Sequence, residues 1–229
     1  MLLGLGRSLL GRKKSSGIVF DGLVLNLDAG DVSSYPGTGT TWYDISGKGN
    51  NGTLTNGPTY DSANKGSIVF DGVDDYVDVS NTSFGGEFTF SCWFKISTKT
   101  GVRIIFGSSG GSVSGGPKIG FDEANYFIRI VGVAHSSTTS PAINTWTNMT
   151  IKRNSQNKVD FYRNGENETR LFSDAAQVGT FTLDKIGANG ADSSQDFYGS
   201  IATIHAYNRA LSSTEVLQNF NALRSRYGI

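Results

Sequence analysis

One segment constrains this chain more than any other. Residues Phe88-Thr89-Phe90-Ser91-Cys92-Trp93-Phe94-Lys95-Ile96 carry apolar side chains at every second position, and only an extended strand puts such positions on one face. Phe88, Phe90, Cys92, Phe94 and Ile96 should therefore point into a core, and Thr89, Ser91, Trp93 and Lys95 away from it. Strand-like runs recur at 67–70, 76–79, 102–106, 118–121, 126–133, 147–152, 159–163, 181–186 and 201–207. Ile18 to Phe20 and Leu23 to Leu27 read as two further strands divided by the turn dipeptide Asp21-Gly22. Between Ala29 and Ser67 the sequence reads as one long polar loop. Asp71-Gly72 with Asp74 reads as a hairpin turn, and Asn164-Gly165 as a two-residue hairpin.

One helix is expected, at the C-terminus. Ser212 and Glu215 have capping-box spacing, and Val216, Leu217, Phe220, Leu223 and Tyr227 recur at helical intervals. Many strands, one terminal helix and no alternation of strand with helix predict an all-β, two-sheet antiparallel sandwich. The charge balance of 20 Lys+Arg against 20 Asp+Glu excludes the electrostatic footprint of nucleic-acid binding. No apolar run approaches the roughly 20 residues of a membrane-spanning helix. A lone Cys92 leaves no internal disulfide and reads as a small core residue.

Residues 1–16, MLLGLGRSLLGRKKSS, stand apart from the domain at 17–229. They hold four basic residues and no acid, and the remainder is mildly acidic. A secretory signal places positive charge before its apolar run; here Arg12, Lys13 and Lys14 follow the leucines, and glycines interrupt them. The segment is either a disordered tail or an extended arm. As an arm, Leu2, Leu3, Leu5, Leu9 and Leu10 would bury in a partner, with Arg12, Lys13 and Lys14 meeting carboxylates at its edge.

Five ordered blocks carry a family likeness. They are Gly22 to Gly30 (GLVLNLDAG), Trp42 to Thr53 (WYDISGKGNNGT), Phe70 to Val77 (FDGVDDYV), Phe161 to Gly165 (FYRNG) and Tyr207 to Ser212 (YNRALS). In that order they resemble the laminin-G-like, concanavalin A-like jelly-roll domains, particularly those of tailed-phage and cyanophage virion proteins. The resemblance implies a jelly-roll sandwich with a short C-terminal helix, borne on a virion as a capsid-decoration or tail-associated component. A fold alone does not settle function, because this one hosts lectins, glycanase appendages and structural modules.

The residues offer candidates for three kinds of site. Glycoside hydrolysis needs two carboxylates flanking a bond. Glu166 and Glu168 have same-face spacing, but they follow a turn, and Arg170 stands where a third acid would fall. His135 and His205 have no partner motif, so no enzyme is expected. Asp71, Asp74 and Asp75, with Asp78 nearby and Asp28 and Asp44 in other blocks, are candidates for calcium, which takes six to eight oxygens. The alternative is that they shape a turn. In the last strand, Ala202-Thr203 follows Gly199-Ser200-Ile201, where some members of the family carry an acid.

Sugar binding would use exposed aromatic faces, for which Trp93, Tyr126 and Trp146 are the candidates beside the loop at 107–116; covered by a helix or loop, the same tryptophans would be structural. No cofactor is required on this reading, with structural calcium as an option. The expected function is a non-enzymatic virion protein, anchored by its arm to capsid or tail subunits or to further copies of itself. The alternative is a glycan-binding host-recognition module of a tail or fibre.

Overall fold

The alternating segments assemble into two stacked antiparallel sheets, in a computed structural model that describes residues 17–110, 116–130, 135–137, 139–168, 176–190 and 193–229. In chain order the first strands are β1 (Leu23–Asp28), β2 (Thr41–Trp42), β3 (Gly52–Thr55), β4 (Thr59–Asp61), β5 (Ser67–Asp71), β6 (Tyr76–Phe84), β7 (Phe88–Ile96) and β8 (Arg103–Gly107). There follow β9 (Lys118–Phe121), β10 (Tyr126–Arg129), β11 (His135–Ser136), β12 (Thr147–Arg153), β13 (Val159–Arg163), β14 (Glu166–Asn167), β15 (Phe181–Ile186) and β16 (Tyr198–Tyr207). The helix α1 (Ser213–Leu223) runs into a short 3-10 turn, Arg224–Tyr227.

The first sheet has the order β14-β13-β12-β7-β16-β5-β4, with β1 also on β16; the second is β11-β10-β9-β8-β15-β6-β3-β2. Strand β16 is the spine of the first sheet. It pairs with β7 along one edge, while β5 and β1 divide the other.

The alternation of β7 does what its sequence predicts: Phe88, Phe90, Cys92, Phe94 and Ile96 all enter the main core between the sheets. Phe84, Phe88, Phe90, Phe106 and Phe181 pack there with ring centroids 4.8–6.0 Å apart. Each such ring contributes about 1.5–3 kcal/mol through burial. Burial also pushes the Cys92 thiol well above its ordinary pKa, which suits a packing role.

A charge sits at the edge of this cluster. The fully buried Arg153 guanidinium lies 4.8 Å from the Phe88 ring centroid. It donates to the carbonyls of Phe84, Gly86, Gln177 and Gly179, so β12 of the first sheet is fastened to the approaches of β6 and β15 in the second.

The Asn164-Gly165 hairpin forms as expected, with both residues at positive φ (52° and 79°) and Arg163 opposite Glu166. The capping box forms too. The Glu215 N–H donates to Ser212 Oγ, and the Ser212 N–H donates to Glu215 Oε2. Arg209 grips the Glu215 carboxylate with both of its terminal nitrogens and, with help from Ser212, holds its pKa down to about 2.

Several expectations are corrected. The stretch from Ala29 to Ser67 contains β2, β3 and β4, which are too short to show a period. Residues 18–20 form no strand; Ile18 and Val19 instead pack with Leu211 and Val216 beside α1. Asp71-Gly72 begins no hairpin, because β5 belongs to the first sheet and β6 to the second, so the turn is a crossover between layers. The strand expected at 126–133 ends at Arg129, and residues 131–134 lie outside the described residues. The arm, with Leu2, Leu3, Leu5, Leu9, Leu10, Arg12, Lys13 and Lys14, also lies outside them, as do residues 111–115 of the expected groove-bordering loop.

Candidate functional site: an aromatic groove and an acidic rim

The three aromatic residues expected to face a sugar do not face solvent. Tyr126 points into the main core, with its ring 4.8 Å from Phe161, and burial drives its pKa up. Trp93 does lie on the outer face of the first sheet, as its parity requires, but α1 and the turn after it close over that face. Tyr227 stacks on Trp93 at 4.1 Å, Phe220 stacks on its ring at 5.6 Å, and Tyr227 also meets Trp146 at 4.8 Å. Ring area buried in this way is packing, and the three residues are removed from the sugar site.

His205 lies on the same outer face of the first sheet and is itself buried. Its neighbours across the strands are Asn26 on β1 and Ser91 on β7. Burial lowers its pKa to about 4, with Asp28 pulling the other way.

Asp28 and Asp44, both in the quoted blocks, are occupied by structure. Asp44 accepts from the N–H groups of Asn26, Ser46 and Asn50 and from the Ser46 hydroxyl, which saturates both oxygens and sets the loop at 44–50. Asp28 accepts from the Gly30 N–H and from Arg226 Nη1 at 2.6 Å. The other Arg226 nitrogens donate to the carbonyls of Asn64 and Gly66. One guanidinium thereby ties the C-terminal turn to β1 and to a segment held in an unusual conformation, with Asn64 at φ 52° and Lys65 at φ 70°. Gly30 is required here, because a Cβ would strike the Arg226 guanidinium.

Beside this clamp lies the groove. A cavity of about 380 Å³ is lined by Asp28, Asp31, Lys65, Leu223 and Arg226, and another of about 210 Å³ by Tyr35, Pro36, Gly37 and Tyr60. Gly30 and Val32 belong to both, and the Val32 side chain, 76% exposed, forms the divide. The loop that carries it is rigid: Ser34 and Tyr35 donate backbone N–H bonds to Asp31 O, and Ser34 Oγ accepts from Asp28 N and donates to Tyr43 O. The Tyr35 and Tyr60 rings stand 5.3 Å apart, and Tyr35 OH donates to Gly39 O. Burial and the neighbouring Tyr60 raise the Tyr35 pKa, which keeps its hydroxyl protonated. Tyr35 is buried in the core behind Tyr60, so the half-buried Tyr60 ring at one end and the charged groups at the other can take the apolar face and the hydroxyls of one ligand. Sequence reasoning missed this groove, because its residues come from three segments that no motif links.

The acidic candidates sit at the crossover from β5 to β6. Asp71, Asp74 and Asp75 each place an oxygen within 4.8 Å of the others, the one such group among the described residues. Asp75 is buried and accepts from the Asp71 N–H at 2.9 Å. Asp71 accepts from Val73 N–H, and Asn56 Nδ2 donates to Asp74 O. Burial pushes the Asp75 carboxyl pKa up, and the negative charges of Asp71 and Asp74 add to the rise. Three carboxylates, two of them exposed, fit a hard cation, for which they supply part of the oxygen shell. Tyr198 faces Asp71 across the strands, so an exposed ring borders the rim.

Comparison with known proteins agrees with this architecture. The binding domain of Paraclostridial Mosquitocidal Protein 1 superposes at a TM-score of 0.60 and 20% identity, over 89% of this chain and 52% of that one. The chain thus spans about half the length of that relative. Domain 4 of a GH43 extracellular arabinanase from Geobacillus stearothermophilus, in complex with arabinotriose, gives 0.58 at 16% identity, over 86% and 97% of the two chains. Trypanosoma rangeli sialidase in complex with sialic acid gives 0.63 at 15%, over 90% and 33%. At such identities the likeness is one of fold. No curated protein matches the sequence. The model of the Concanavalin A-like lectin/glucanases superfamily matches residues 71–217, more than half of the chain. With that match and two eight-stranded antiparallel sheets in hand, the chain belongs to the concanavalin A-like lectin/glucanase superfamily.

Proposed function

We propose that this chain is a non-catalytic glycan-binding module whose saccharide site is the groove around Val32. The observation that carries the reading is the pair of cavities that share Gly30 and Val32, one bordered by the Tyr60 ring with Tyr35 behind it and the other by Asp31 and Lys65. A sugar ring would lie with its C–H face toward the half-buried Tyr60 ring, which the buried Tyr35 backs, and its hydroxyls would donate to Asp31 and accept from Lys65. An arabinanase domain of this fold solved with arabinotriose supports the ligand class. A non-catalytic role is supported by Glu168, which accepts from Arg163 and Thr139, and by Glu166, which is exposed on β14. The test is a glycan array followed by titration calorimetry. Tyr60→Ala and Asp31→Ala should each weaken the best ligand by roughly tenfold or more. A chain that binds no glycan, or whose binding ignores both changes, ends the proposal.

A second reading concerns residues 1–16, and the anchoring of Gly17 to Leu23 favours it. Gln218 Nε2 donates to Gly17 O, Val19 N donates to Asn219 Oδ1, and Tyr207 OH donates to Val19 O. A segment preceding such a fixed point can act as a tether to another subunit, which is the role a virion component would need. Deleting residues 1–16 should leave folding intact and abolish incorporation into a particle. Normal incorporation of the shortened chain would rule the tether out.

A further inference from the structure

The rim at Asp71 joins two features on one surface. Val73 is 65% exposed and Tyr198 41% exposed. Val73 follows Gly72, whose backbone lies against the Tyr198 side chain. The exposed carboxylates of Asp71 and Asp74 flank them. An apolar strip edged with negative charge fits a segment that is both apolar and positive. Residues 1–16 have that character, with five leucines, four basic residues and no acid. We propose that residues 1–16 of one copy dock on this rim of a second copy. The leucines pack on Val73 and Tyr198, and Arg12, Lys13 and Lys14 pair with Asp71 and Asp74. The inference rests on the arm acting as a tether, and it names the partner as the chain itself.

Reach decides in favour of a second copy. The segment before β1 is fastened at the Tyr207 end of β16, whereas the rim faces Tyr198 at the other end. The ten residues of β16 span roughly 30 Å. Arg12, Lys13 and Lys14 stand only a few residues before Gly17, so a fully stretched chain carries them no further than about 18 Å. Their own rim is out of range. A neighbour's rim, brought up to the base of the arm, is not. Donor and acceptor are different surfaces at opposite ends of one strand, so the arms either exchange reciprocally in a closed two-fold dimer or run head to tail into a ring or filament.

The experiment mixes isotope-labelled and unlabelled full-length chains, joins carboxylates to amines with a carbodiimide, and follows mass by light scattering. The expected result is a mass that grows with concentration, with Lys13 or Lys14 joined to Asp71 or Asp74 in isotopically mixed peptides. Deleting residues 1–16 should weaken association by roughly tenfold or more, and the triple change Asp71→Asn, Val73→Ser, Asp74→Asn should do the same. Both variants should keep the parent's circular dichroism and melting. Raising salt from about 50 to about 500 mM should also loosen the assembly. A monomer at every concentration, or cross-links confined to unmixed pairs, overturns the proposal. Association that needs residues 1–16 but ignores the triple change keeps the tether and overturns this acceptor.

Discussion

Beneath α1, Trp93 stands between Asn148 and Thr203 across the strands and packs with Trp146 and Tyr227; around Val32, one cavity is bordered by Tyr35 and Tyr60 and its neighbour by Asp31 and Lys65. By composition either surface suits a sugar. The first is filled by the chain's own Phe220 and Tyr227, which lie on Trp93 nearly parallel, at 12° and 18°. In the second Tyr35 is likewise buried, but Tyr60 and Val32 stay accessible, and the Arg226 clamp makes the C-terminal turn a wall of the adjoining cavity. What separates a packed face from a candidate binding face is therefore where the last seventeen residues are pinned, by the Arg226 clamp and by Phe220 and Tyr227 stacking on Trp93.

The contrast breaks most readily at Trp93. Trp93→Ala should cost about 3–5 kcal/mol of stability by urea unfolding, since it leaves a cavity under two stacked rings. It should leave the glycan affinity of the folded fraction unchanged. Lost affinity in a variant that still folds would make the covered face the binding face after all.

Acid provides the next test. The His205 pKa in the folded chain is about 4, below the ordinary 6.5. Between these values the unfolded chain takes up a proton that the folded chain refuses, so stability present above pH 6.5 is lost as pH falls toward 4. The loss attributable to this group is about 3 kcal/mol. Unfolding measured at several pH values should slope less in His205→Gln than in the parent. Equal slopes would mean that solvent already reaches the covered face.

A smaller effect is expected where the cover begins. Ser212→Ala removes the acceptor of the Glu215 N–H and should cost about 1 kcal/mol. Hydrogen exchange should quicken in α1 before it does in β7 or β16, because the cap acts on the helix and not on the sheet beneath.

How far these regions could be read from sequence follows the same division. The core of β7 was legible because a period of two survives in any sheet that buries one face, and the cap was legible because Ser212 and Glu215 are three residues apart. The fate of Trp93 was not. Strand parity places it outside the core correctly, but whether outside means solvent depends on Phe220 and Tyr227, more than a hundred residues away. The groove was illegible for the same reason, since Val32, Tyr60 and Arg226 meet only in three dimensions. Asp71-Gly72 misled differently: turn residues reveal that the chain reverses, not whether it returns to the same sheet.

The rim offers the smallest and sharpest contrast with the covered face, because here it is a charge that is buried beside an open surface. The Asp75 pKa is raised by burial and by Asp71 and Asp74, so its contribution to stability is present below the ordinary carboxylate range and lost as pH rises through its folded value. At neutral pH, Asp75→Asn should therefore stabilise the chain slightly, by less than about 1 kcal/mol, while an amide oxygen still accepts from the Asp71 N–H. Calcium acts in the opposite sense. If it binds the three carboxylates, millimolar calcium should raise the melting temperature of the parent by mass action and leave Asp75→Asn unmoved. The same ion should compete with Lys13 and Lys14 for Asp71 and Asp74, so calcium that stabilises the fold should also loosen any arm-dependent assembly. Stabilisation without that loosening would place the cation and the arm on different surfaces.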